Sequence, residues 1–202
     1  EPGEVVEIEQ GVIRLFDLEG TTIDREPVAT GQNFEAAQKG NHPHFMSKEI
    51  AEQPDAVQAA LRGRADFVKG TLSLPEISLT HDQITSIDRV VLTGMGTSLH
   101  TAMFGANLIE SLARIPAVAE NSSELRYRNP VLGPSTLMIA ITQSGETADT
   151  LAAMEHARQA GSPQGVVLEM EGSQAARIAN FTLPVRAGQE ICVASTKTMI
   201  AS

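Results

Sequence analysis

Three short apolar runs rich in β-branched residues recur along the chain: RVVLTG (89–94), STLMIAIT (135–142) and GVVLEM (165–170). Each is followed by a stretch of helical character, and this alternation constrains the fold more than any other feature. A strand that returns parallel to its predecessor needs a crossover, and the crossover is helical and right-handed. The runs are apolar almost throughout, so both faces of their sheet must be covered. The pattern predicts an α/β domain with a doubly wound parallel sheet from Met46 onward.

The crossovers can be read from spacing. After the first run, Leu99, Met103, Ala106, Ile109 and Leu112 recur at three- and four-residue intervals, which predicts one apolar helical face. The second run leads into a helix expected over residues 146–160. SSELRYR and SQAARIA read as short helices, and FTLPV as a further strand. Upstream, FMSKEIAEQPDAVQAALRG reads as helix, with Pro54 restarting it at a first turn and Gly63 ending it. TLSLPEISLT follows neither period.

The opening EVVEIEQGVIRLFDLEGTTIDREP has a different texture. Apolar residues flank Gln10-Gly11, which predicts a β-hairpin or small meander over residues 1–28. A lone hairpin is marginal in water, so it should belong to something larger. Residues 29–45 are polar and aperiodic and read as a linker, leaving 46–202 for the α/β domain. At the other end, ICVASTKTMIAS starts a helix too short to stand alone, so the domain is expected to be truncated there.

Composition narrows the ligand classes. The chain has 25 acidic against 15 basic residues, a net charge of -10, which speaks against nucleic acid as a partner. Any anionic ligand must then be held by a local field rather than by the whole surface. Cys192 is the only cysteine, so no disulfide framework exists and a reducing cytoplasm is expected. No apolar run approaches the length of a membrane span, so no membrane partner is expected. His42, His44, His81, His100 and His156 lack zinc-type spacing, so no metal site is expected. His42 and His44 flank Pro43 and read as loop residues, while His100 and His156 read as surface residues on helices.

Two hydroxyl-rich loops carry the chemistry. GMGTS (94–98) follows the first strand and TQSGET (142–147) follows the second, each leading into a helix. Ligands of doubly wound sheets bind beyond the carboxyl ends of the strands. A helix N-terminus offers unpaired N–H groups and partial positive charge, and Ser, Thr and Gly add donors and close approach. Together these can cradle a phosphate without Lys or Arg. Either loop alone reads more readily as ordinary N-capping. Two such loops after two strands of one sheet point to a ligand. Glu146 and Asp149 would repel a phosphate if aimed at it.

In VASTK, Ser195 could cap the last helix, and Lys197 then falls in a first turn, where a cation is unfavourable unless an anion is near. Taken alone, Lys197 reads as a solvated side chain. GMGTSL is a partial dinucleotide fingerprint, with Leu99 where a third Gly belongs and Glu120 as the ribose acid. That reading leaves TQSGET unexplained and ranks below a sugar-phosphate site. Cys192 has no base partner in sequence and reads as a core residue rather than a nucleophile. Neither a triad nor a paired-carboxylate site is apparent.

GTS, QSGETADT, SSELRYR and EICVASTK, with PHFMSKEIAEQPDAVQAALRGR upstream, resemble the isomerising glutamine–fructose-6-phosphate aminotransferase family, also called the glucosamine-6-phosphate synthases. QSGETADT by itself is similar to the signature of the SIS (sugar isomerase) fold, a flavodoxin-like doubly wound sheet. The resemblance implies that residues 1–28 are the last strands of a glutaminase domain and 46–202 most of a first SIS domain. It implies that Ser98, Thr142, Gln143, Ser144 and Thr147 bind the sugar phosphate and that Val193 and Ser195 line the sugar. Thr142 stands where Ser is usual in the family, a change that keeps the hydroxyl.

The family makes glucosamine 6-phosphate from fructose 6-phosphate and glutamine for amino-sugar synthesis. By the resemblance, its nucleophilic N-terminal Cys has no counterpart in Glu1. Its acid/base Glu, ring-opening His and Schiff-base Lys belong to later segments. No catalytic residue is therefore expected in this chain, which should show no turnover alone, and Lys197 is not that Lys. Further expectations are a cytoplasmic homodimer, no cofactor or metal, and no nucleic acid or membrane partner. Two other readings stand beside it: an SIS-domain deglycase or isomerase, and a non-enzymatic sugar-phosphate-sensing module.

Overall fold

The computed structural model describes residues 3–26 and 38–202. The greater part of the linker expected over 29–45 lies outside the described residues. Contacts divide the chain into two units, Glu1–Gln32 and Asn33–Ser202.

In the first unit, β1 (Glu4–Glu9), β2 (Val12–Asp17) and β3 (Thr22–Ile23) form an antiparallel meander, as the sequence predicts. Gln10 and Gly11 both take positive φ, 48° and 84°, the signature of a tight turn whose twist matches its flanking strands. Arg25 closes the meander with paired hydrogen bonds of 3.0 and 2.6 Å to the Glu4 carboxylate. Val5, Val6, Ile8, Val12 and Ile13 are all exposed.

The second unit opens with α1 (Phe45–Ala51) and α2 (Gln53–Leu61). Pro54 falls in the first turn of α2, where its missing N–H costs nothing, and the helix breaks at Glu52 before it. Gly63, at φ 76°, lies just past the end of α2. A short hairpin follows, β4 (Ala65–Asp66) with β5 (Thr71–Leu72), whose second strand opens the segment with no clear period; the rest of that segment is loop. A capping box between Thr80 and Gln83 starts α3 (His81–Thr85).

The sheet then forms. In chain order the elements are β6 (Arg89–Gly94), α4 (Thr97–Leu108), β7 (Ala117–Asn121), α5 (Ser122–Arg128) and β8 (Thr136–Ile141). They continue with α6 (Ala148–Gln159), β9 (Gln164–Leu168), α7 (Gln174–Ile178), β10 (Phe181–Pro184) and α8 (Lys197–Ala201). The five strands are all parallel and lie in the order β10-β9-β8-β6-β7. Connections from β6 run outward to β7 on one side and, after β7, return to β8 on the other. The topological switch point therefore falls between β6 and β8. The predicted doubly wound α/β fold is the fold observed.

Both faces of the sheet are covered, which is why the strands read as continuous apolar runs. Val90 and Leu92 pack with Ala102 and Ala106 of α4 on one face. Val91 and Met138 pack with Leu125 of α5 and with Ala153 and Ala157 of α6 on the other. Leu125 and Met138 are wholly buried, each contributing roughly 2 kcal/mol of apolar burial.

The helix after β6 departs from its expected face. Ala102 and Ala106 are buried, but Met103 and Leu112 are exposed. From Ile109 to Ala113 the helix widens into a π turn, whose extra residue rotates Leu112 off the face that a 3.6 period would give it. The helix expected from residue 146 begins at Ala148, because Gly145 and Glu146 are drawn to α7 instead.

Candidate functional site

Beyond the carboxyl ends of β6 and β8, at the switch point, the structure has a cavity of about 450 Å³. All seven residues singled out in the sequence line it: Ser98, Thr142, Gln143, Ser144, Thr147, Val193 and Ser195. Thr97, Thr150 and Ala194 join them, and no charged side chain is among the lining residues. Thr97 could have been noticed between Gly96 and Ser98. Thr150 gives no local signal, being an ordinary residue of a helix first turn.

The loop at 94–98 is built by close approach. A Cβ on Gly94 would meet the Ser98 carbonyl carbon at 2.9 Å, so only Gly lets the chain fold back there. Gly96 precedes α4 at φ 56°. Thr97 and Ser98 then open the helix, and among the described residues neither hydroxyl has a protein partner.

The loop at 142–147 is tied down from within. The Gly145 N–H donates to Thr142 Oγ1 at 3.2 Å, and the Glu146 N–H to Ser144 Oγ at 3.2 Å. From outside, the Glu169 N–H donates to the Gln143 carbonyl and the Ala175 N–H to the Gly145 carbonyl. Thr142 is almost fully buried and shapes the loop through its acceptor oxygen. Thr147 precedes α6 without making a cap hydrogen bond, so its hydroxyl is uncommitted.

The two carboxylates that could repel an anion are turned away. Glu146 accepts the Gln174 N–H at 2.8 Å, at the start of α7. Asp149 accepts a 2.6 Å hydrogen bond from Arg126 on α5. Both first turns that face the cavity therefore keep their donors and partial positive charge without a local negative charge.

Beneath the cavity runs a chain of buried hydroxyls. Thr150 donates to Ser122 at 3.2 Å, Ser122 and Thr93 are 2.8 Å apart, and Thr93 donates to the Glu120 carbonyl at 3.0 Å. This line locks the first turn of α6 to the end of β6. The Glu120 carboxylate is bound by Arg128 at 2.5 Å, so it is engaged within the protein rather than standing open as a ribose acid.

The third wall is the segment before α8. Glu190 accepts hydrogen bonds from the Ser195 hydroxyl and Thr196 N–H, both at 2.6 Å, and from the Lys197 N–H at 2.9 Å. Burial works against the charged form of Glu190, but these donors outweigh it and hold its carboxyl below the ordinary value of 4.5. Ser195 is thus a donor to Glu190, and it does not cap α8. Lys197 is not solvated, contrary to its reading in isolation. It is 4% exposed, and its Nζ lies 2.8 Å from Glu52 Oε2 at the junction of α1 and α2. The ion-pair partner of this first-turn cation is a carboxylate 145 residues away, beyond the reach of sequence patterns, while Glu190, seven residues upstream, holds the turn's N–H groups.

Cys192, expected in the core, is only half-buried. The Glu49 carboxylate beside it, together with burial, pushes its thiol above the ordinary value of 9.0, which disfavours a nucleophilic role. His100 is exposed, as expected, and His156 is half-buried on α6. Of the pair flanking Pro43, His44 is exposed and His42 half-buried. Among the described residues, no three His, Cys, Asp or Glu side chains cluster as a metal site. No helix among them is long and apolar enough to cross a membrane.

Comparison with known proteins bears on this geometry. Residues 83–202 match the SIS domain family. The chain is 42% identical over 185 residues to glutamine–fructose-6-phosphate aminotransferase (isomerizing) of Clostridium tetani, covering 92% of this chain and 30% of that protein. It is 39% identical over 198 residues to the protein of the same name from Leifsonia xyli, covering 98% of this chain and 32% of that one. The chain thus spans about a third of the length of these relatives. Among solved structures, the C-terminal domain of glucosamine-fructose-6-phosphate aminotransferase from Francisella tularensis superposes with a TM-score of 0.72 at 31% identity. That match covers 81% of this chain and 46% of the other.

Proposed function

The chain belongs to the SIS domain family, and from that premise we propose that its cavity is the phosphate anchor of a hexose 6-phosphate site. The carrying observation is the convergence of Ser98, Gln143 and Thr147, whose side chains make no hydrogen bond to the described protein, on one uncharged cavity. Its volume of about 450 Å³ suits a small ligand. Two helix N-termini and these donors neutralise a phosphate without a cation, in keeping with a net charge of -10. In this reading the phosphate lies against residues 94–98 and 142–147, and Val193 and Ser195 line the sugar.

The chain is the sugar-phosphate-binding part of a larger isomerising glutamine–fructose-6-phosphate aminotransferase. The whole enzyme would open fructose 6-phosphate, form an imine at C2 with glutamine-derived nitrogen and move a proton between C1 and C2 to give glucosamine 6-phosphate. The part described here would bind and orient, using a remote phosphate to position the reacting end. Residues 1–28, whose described strands expose apolar side chains, would be the last strands of a glutaminase domain. The whole protein would act as a cytoplasmic homodimer on fructose 6-phosphate and glucosamine 6-phosphate.

Calorimetric titration of the chain with fructose 6-phosphate tests the anchor. Saturable binding that a Ser144→Ala, Thr147→Ala double variant weakens is the expected result. Equal affinity in parent and double variant would refute the cradle. The chain alone should produce no glucosamine 6-phosphate.

A further inference from the structure

Residues 193–195 form one wall of the cavity. Val193 is fully exposed, so little packing fixes its position. The course of this wall is therefore set at its two flanks. On the far flank Glu190 gathers residues 195–197, as described. On the near flank the anchor is Glu49, on α1.

Glu49 is 2% exposed. Its Oε1 accepts the Ile191 N–H at 2.6 Å and the Cys192 N–H at 3.1 Å, across 142 residues of chain. Two successive backbone N–H groups make a concavity that suits an anion, and here the protein supplies its own. Glu49 Oε2 is buried and accepts no N–H or O–H among the described residues, with only the weak donor of the Cys192 thiol near the carboxylate. A buried carboxylate with one oxygen unsatisfied is costly, and an apolar residue would pack there more cheaply. The return on that cost is a fixed backbone at residues 191 and 192, immediately before the wall. One turn along, Glu52 holds Lys197 at 2.8 Å, so the same helix end grips both sides of the segment.

We infer that Glu49 is a positioning residue for the hexose end of the cavity: it fixes the Val193–Ser195 wall and so sets the preference for a sugar phosphate over bare phosphate. The inference rests on the sugar-phosphate reading above. Glu49 does not line the cavity, and the loops at 94–98 and 142–147 do not depend on it. Its loss should therefore spare the phosphate end and release the sugar end.

The test is titration of parent, Glu49→Ala, Glu49→Asp and Glu49→Gln chains with fructose 6-phosphate and, separately, with inorganic phosphate. Glu49→Asp keeps the charge but withdraws it by one methylene, which makes it the milder variant should Ala perturb folding. Ala and Asp are expected to weaken fructose 6-phosphate by about tenfold or more. Inorganic phosphate should stay within about twofold. Gln, whose amide oxygen can still accept both N–H groups, is expected to restore most of the affinity. Amide exchange should quicken at Ile191 and Cys192 in Ala and Asp but not in Gln. Fructose 6-phosphate binding as tight in Ala and Asp as in the parent would overturn the role of Glu49. So would an equal loss for both ligands, which would mark a merely structural residue. A parent chain that fails to bind fructose 6-phosphate at all would overturn the sugar-phosphate reading itself.

Discussion

Gly145 and Ser173 approach so closely that no side chain fits between them: a Cβ on Gly145 would overlap Ser173 Oγ. Ser173 starts α7, and the Ala175 N–H donates to the Gly145 carbonyl, so this contact braces the 142–147 loop against the neighbouring crossover. Gly145 is also at φ 69°, a conformation that L side chains avoid.

Gly145→Ala should therefore be among the most damaging single changes in the domain. Steric overlap and backbone strain together should cost about 3 kcal/mol, which for a chain of this size lowers the melting temperature by roughly 10 °C. Fructose 6-phosphate binding should be lost with it. A thermal melt of the variant within error of the parent would contradict the tight contact.

Thr142 and Thr147 have different tasks, and valine separates them. Thr147→Val removes a hydroxyl that makes no cap bond, so stability should stay within about 0.5 kcal/mol. Fructose 6-phosphate affinity should fall about tenfold through loss of a donor to a charged oxygen. Thr142→Val instead strands the Gly145 N–H inside the loop and should cost about 1–2 kcal/mol of stability. Chemical denaturation alongside titration distinguishes them, and a Thr147→Val chain that loses stability as Thr142→Val does would refute the division.

Glu190 should make the third wall sensitive to acid. Its carboxyl titrates lower in the folded chain than the ordinary 4.5. A depressed folded value means that its stabilisation is complete above the ordinary carboxylate range. It is lost as pH falls through the lowered value. The melting-temperature gap between parent and Glu190→Gln should be constant above about pH 5 and close on further acidification. A gap that widened in acid would reverse the assigned sign.

Much of this protein was legible along the chain because the relevant physics is local. Buried parallel strands write continuous apolar runs, helix starts write hydroxyls, and tight turns write Gly. From these came the doubly wound sheet, the opening meander, the break at Pro54 and the loops that line the cavity. The departures have separate causes. Spacing puts Leu112 on a buried face, and spacing cannot reveal a π turn. Lys197 reads as solvated in isolation, because its partner, Glu52, lies 145 residues away.

The sequence by itself determined the buried parallel strands, most of the helices that join them and where small hydroxyl-bearing loops lie between, since each depends on neighbours a few residues away. The tertiary structure alone decided the strand order that brings two of those loops together between β6 and β8. It also decided that Glu146 and Asp149 turn from the cavity, and that Glu49 clasps Ile191 and Cys192. These are pairings between groups far apart in the chain, and their energies exist only once folding has brought the partners within hydrogen-bonding distance.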